Sequence, residues 1–108
     1  MIDKKTDKPW FLYIIKMANN HLYTGITVDM HRRFNEHCGA KKGAKALKGK
    51  GPLTLMYCSE MGSRSDAQKA EYWVKQQTKA TKTSLIKGQI ELAFKHTKIK
   101  IELSSKQT

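Results

Sequence analysis

Acidic residues are scarce in this chain of 108 residues: nine Asp and Glu stand against 21 Lys and Arg, for a formal charge of +12. None falls between Glu36 and Glu60. So large a basic excess goes beyond what solubility requires and leaves three kinds of partner: nucleic acid, an anionic membrane surface or an acidic protein. Cysteine is also sparse. Cys38 and Cys58 cannot build a disulfide framework and lack the Cys-x-x-Cys or Cys/His spacing of a zinc site, which predicts a reduced, cytoplasmic setting. Long apolar runs are missing, since Trp10 to Ile15 falls far short of the roughly 20 residues of a membrane span. Met1 to Lys8 has no apolar stretch of the kind a secretory leader carries. A domain takes roughly 100 to 200 residues, so there is room for one.

Hydrophobic residues make up 39% of the chain, enough for a modest core, and their spacing lays out the elements. Trp10 to Ile15 is aromatic and β-branched, too short for a helix and suited to a central strand covered on both faces. Ala18-Asn19-Asn20 predicts a hairpin turn into a second strand, His21 to Ile26. Asp29 is a good N-cap for a helix carrying Met30, Phe34, His37 and Cys38 at helical spacing and stopped by Gly39. Arg33 and His37, four apart, share one side of it, while Arg32 and Glu36 are expected toward solvent.

Next come Lys41, Lys42, Lys45, Lys48 and Lys50, interleaved with Gly39, Gly43, Gly49 and Gly51. Such a loop can bring ammonium groups and bare backbone N–H groups onto phosphates, and a helical turn fits Ala44 to Lys48. Pro52 introduces a third strand, Leu53 to Cys58. Ser65 and Gln68 form a capping box that predicts a helix to about Thr78. Its inward stripe of Ala67, Ala70, Glu71, Val74 and Thr78 contains one carboxylate that needs a partner: a salt bridge, a metal or a proton. Thr81 is expected to cap a last helix through Leu85 and Ile86, ending at Gly88. The organisation predicted is a lead-in over 1–8, a folded domain over 9–88 and a basic extension over 89–108.

This order of elements resembles the GIY-YIG nuclease domain. The matching residues are Phe11-Leu12-Tyr13 for the first triplet and Tyr23-Thr24-Gly25 for the second, followed by Arg33, His37 and Glu71. The stretch from Gly43 to Leu53 is similar to small stand-alone bacterial members, the YhbQ-like group. The resemblance implies an α+β fold, a small three-stranded antiparallel sheet flanked by helices, and a metal-dependent endonuclease cutting phosphodiesters in DNA, branched or single-stranded forms among them, with repair or recombination as its setting. By match to the family, Glu71 would be the single protein ligand of Mg²⁺ or Mn²⁺, Arg33 would clamp the scissile phosphate, and Tyr23 would be the general base, with Tyr13 and His37 beside it. His37, with an ordinary pKa near 6.5, is the competing base. Lys41, Lys42, Lys45, Lys48 and Lys50 would bind nucleic acid. No small-molecule cofactor and no membrane partner are implied.

Two positions depart from the family pattern. Phe11 stands where the first triplet begins with glycine, and Ile26 follows the second triplet where some members carry lysine. A non-catalytic nucleic-acid-binding module using the same basic surface is the alternative function; excess charge serves either, but a carboxylate facing phosphate without a metal opposes binding.

Overall fold

The computed structural model describes residues 8–39 and 43–90. Lys41 and Lys42, most of the lead-in and nearly all of the extension therefore lie outside the described residues. Strand β1, Trp10–Lys16, turns back into β2, Leu22–Thr27. The reversal works because Asn20 adopts a φ of 73°, which asparagine tolerates, while the Asn19 side chain accepts the His21 amide at 3.0 Å. Helix α1, Met30–Gly39, opens on the expected cap, the Arg32 amide donating to the Asp29 carboxylate at 3.1 Å. After a 3-10 turn at Lys45–Leu47 come β3, Thr54–Gly62, then α2, Arg64–Lys75, and α3, Lys79–Ile86.

Three antiparallel strands form one sheet in the order β2-β1-β3, so the apolar first strand is central as its composition predicts. Alternate residues of β1 serve two cores. Leu12 and Ile14 pack with Tyr57, Met61, Ala67, Ala70, Val74 and Leu85 on the side covered by α2 and α3. Tyr13 and Ile15 pack with Met17, Met30, Leu47, Leu55 and Cys58 on the side covered by α1. Burying a large aliphatic side chain in such a core stabilises the fold by about 1.5–3 kcal/mol. This is the α+β, helix-flanked sheet that the motif order implies.

Several boundaries differ from expectation. The third strand runs on to Gly62, because two register shifts against β1 let Tyr57 and Met61 reach the α2 side while Leu55 and Cys58 face α1. The α2 cap is Ser63, whose hydroxyl accepts the Asp66 amide at 3.1 Å, two residues ahead of the expected Ser65. The α3 cap is Thr78, accepting the Thr81 amide at 3.2 Å, so Thr78 ends no helix and Thr81 starts none. In both cases a second hydroxyl stands within the first turn, and the earlier one is the cap used. Gly88, with φ 79°, closes α3 as predicted; the Gln89 amide reaches the Ser84 carbonyl at 2.9 Å.

Candidate active site

Pairing of β1 with β2 sets Tyr13 opposite Gly25, and this pairing seats the Tyr13 ring. A Cβ at position 25 would fall 2.6 Å from Tyr13 Cζ and closer still to its hydroxyl. The glycine of the second triplet is therefore the floor on which the tyrosine of the first one lies. Around that ring stand Tyr23, with centroids 6.4 Å apart, and His37, at 5.8 Å; Tyr23 and His37 meet edge-on at 5.6 Å. The hairpin and α1 thus bring three of the five predicted residues into one aromatic cluster.

The hydrogen bonds at His37 decide its protonation. The Ala44 amide donates to Nδ1 at 3.1 Å, so that nitrogen carries a lone pair. Nε2, 2.8 Å from the Tyr13 hydroxyl, then holds the proton and donates it there. Burial, with the Arg33 charge nearby, agrees with this by pushing the His37 pKa down to about 4. Both ring nitrogens are committed, which leaves His37 no lone pair for a substrate proton.

Tyr13 is 1% exposed, and burial pushes its pKa up to about 12. Arg33 interacts with the same hydroxyl and opposes this rise, but burial outweighs it and Tyr13 stays a phenol. Arg33 also forms a 2.8 Å ion pair with Glu36. The expectation that Glu36 points to solvent is thus corrected: its side chain is half-buried and bound to the predicted phosphate clamp. Sequence reading passed over this partner, although the Arg33/Glu36 spacing of three on a helix is the available signal.

Glu71 sits on α2, across the sheet from α1, close enough that its charge acts on Tyr13. Its carboxylate pairs with Lys75 at 3.0 Å, and its side chain is half-buried rather than turned fully inward. Lys45, Lys48 and Lys50 are exposed, as a phosphate-binding role requires. No group of three or more His, Cys, Asp or Glu able to hold a metal occurs among the described residues. One hard carboxylate suits a cation that keeps most of its waters, as Mg²⁺ does, so the donor chemistry of Glu71 fits the implied metal. No helix among the described residues is long and apolar enough to cross a membrane.

Several known proteins and one family model are similar to this chain. The GIY-YIG catalytic domain matches residues 9–84. A UPF0213 protein of Cronobacter sakazakii is 56% identical over 85 residues, covering 79% of this chain and 86% of that protein. The UPF0213 protein YhbQ of Escherichia coli K12 is 56% identical over 78 residues, 72% of this chain and 77% of its own. The solution NMR structure of a UPF0213 protein from Bacillus halodurans matches with a TM-score of 0.49 at 33% identity, covering 73% of this chain and 83% of that one.

Proposed function

Since this chain belongs to the GIY-YIG catalytic-domain family, we propose that it is a divalent-metal-dependent endonuclease that hydrolyses phosphodiester bonds in DNA, in the service of repair or recombination. The family is in general one of metal-dependent endonucleases acting on nucleic acid. The observation that carries the reading is the convergence of Tyr13, Tyr23 and His37 in one cluster, with Arg33 on the Tyr13 hydroxyl and Glu71 within electrostatic range of it.

Hydrolysis needs a held phosphate, a water relieved of its proton and positive charge against the oxygens of the transition state. Arg33 has the fork of donors for the first task, and it takes up a phosphate by releasing Glu36. For the second, Tyr13 holds its proton and His37 has no open nitrogen, which leaves Tyr23, half-buried at the edge of the cluster. Tyr23 is therefore the residue placed to orient the attacking water and take its proton. Glu71 would hold Mg²⁺ or Mn²⁺ by giving up Lys75. When bound, the cation supplies Lewis acidity at the phosphate. Exposed lysines following α1 contact the strand without reading its sequence.

A non-catalytic nucleic-acid-binding module remains the competing reading, and the Glu71–Lys75 ion pair favours it by giving the carboxylate an ordinary surface partner. The two separate in one assay: cleavage of labelled single-stranded, duplex and branched DNA with Mg²⁺, Mn²⁺ or EDTA, by the wild-type chain, Glu71→Ala and Tyr23→Phe. Metal-dependent cutting that vanishes in Glu71→Ala while binding persists is the expected result. Binding without cutting, or cutting that survives in Glu71→Ala, would remove the nuclease assignment.

A further inference from the structure

The chain that follows α1 is fixed at three described points. The Ala44 amide bonds to His37 Nδ1 at 3.1 Å, Leu47 is buried with Tyr13 and Met30, and the Lys50 carbonyl accepts the Ala18 amide of the hairpin turn at 2.9 Å. The far half of the loop is thus held by apolar burial and by the hairpin. The stretch at Gly43 and Ala44 depends on His37. It also depends on having no side chain at position 43, where a Cβ would lie 2.7 Å from His37 Cα and 2.9 Å from the Glu36 carbonyl oxygen. These are backbone atoms of a helix and cannot step aside cheaply. Gly43 therefore lets the loop close onto α1, and the next residue delivers its N–H to the imidazole.

The ring that receives it is nearly inaccessible, 2% exposed, and its other nitrogen is bonded to Tyr13. A Nδ1 that must accept forces the proton to Nε2, and Nε2–H then has one acceptor, the Tyr13 hydroxyl. Loop closure and the orientation of Tyr13 are therefore two ends of one hydrogen-bonded unit.

We propose that His37 is a positioning residue that couples the two halves of the site. Held as the Nε2–H tautomer by the Ala44 amide, it docks the chain at Gly43 and Ala44, next to Lys45, and at the same time fixes the Tyr13 hydroxyl. The consequence for substrate rests on the nucleic-acid reading above: a strand that settles on the loop stabilises the arrangement in which Tyr13 is aligned, and displacing the loop misaligns Tyr13.

The test is made without catalysis. The first measurement is ¹⁵N NMR of the His37 ring in the full chain at neutral pH. A bare Nδ1 and a protonated Nε2 are expected; an Nδ1–H tautomer, a fast-exchanging mixture or an imidazolium would overturn the proposal. The second uses Gly43→Ala, which perturbs the loop without changing the chemistry of any side chain in the cluster, with Gly39→Ala as control because nothing lies within 4 Å of its Cβ. In EDTA, Gly43→Ala is expected to bind a labelled duplex oligonucleotide about three- to tenfold more weakly, the scale of one lost phosphate contact. It should also lose the single His37 tautomer, while Gly39→Ala changes neither. Wild-type tautomer and affinity in Gly43→Ala would refute the coupling. Because neither readout involves cutting, absence of nuclease activity would leave this inference standing, and its failure would leave the nuclease assignment standing.

Discussion

Gly25→Ala isolates the contact on which the candidate site is built. The added methyl would sit 2.6 Å from Tyr13 Cζ, so one of the two must move. Tyr13 has little room: it is 1% exposed, its hydroxyl is bonded to His37, and Tyr23 and His37 flank the ring. Overpacking of this kind costs about 1–3 kcal/mol. If the ring shifts, its bond to His37 goes too, adding about 1 kcal/mol. The expected destabilisation is therefore about 2–4 kcal/mol by urea unfolding, read as a lower midpoint at unchanged slope. Gly39→Ala should stay within about 0.5 kcal/mol of wild type. Since the clash is with the phenolic end of the ring, Tyr13→Phe added to Gly25→Ala should cost less than the two single changes summed. A Gly25→Ala chain as stable as Gly39→Ala, with unchanged His37 ring signals, would refute the claim that this glycine seats the tyrosine.

Acid should destabilise the protein through His37. Its folded pKa is lowered from 6.5 to about 4, so between those values the unfolded chain binds a proton that the folded one refuses, and stability falls as pH drops through that window. The loss is at most about 3 kcal/mol, and His37→Gln should flatten that limb of a denaturation-versus-pH curve; an unaltered limb counts against the argument. Glu36→Gln releases Arg33 from its ion pair and should raise affinity for an oligonucleotide in EDTA about two- to fivefold, the worth of a partly exposed pair. Binding itself should weaken steeply with salt, linear in log–log form; an affinity constant from low to moderate salt would contradict a lysine-phosphate interface.

Much of this was legible in the residue order because the physics involved is local. An apolar aromatic run reads as a buried central strand, and Asp29 and Gly88 as helix punctuation, whereas Tyr13, Tyr23, Arg33, His37 and Glu71 were joined only by their resemblance to the GIY-YIG pattern. What escaped was non-local or degenerate. Ser63 and Ser65 both offer cap hydroxyls, and local sequence alone does not select Ser63, the one used. The length of β3 depended on bulges that no alternation pattern announces. Glu36 was placed by helix angle alone, whereas the attraction of Arg33 overrides a modest difference in angle. Nothing around Gly43 or Ala44 in the sequence hinted at His37, since that contact exists only once the loop folds back.

The bulges of β3 bear on how this protein avoids its own kind. A three-stranded sheet ends in two edges, each a row of backbone donors and acceptors that can recruit a further strand from another molecule. β3 pairs with β1 on one side only, and it spends nine residues where β1 spends seven, the surplus absorbed at two register breaks. A strand interrupted twice presents its outward groups out of step, so an incoming straight strand can match only a short stretch before the ladder fails. The same irregularity that distributes Leu55, Tyr57, Cys58 and Met61 between two cores thus makes the β3 edge a poor template for a strand from another molecule.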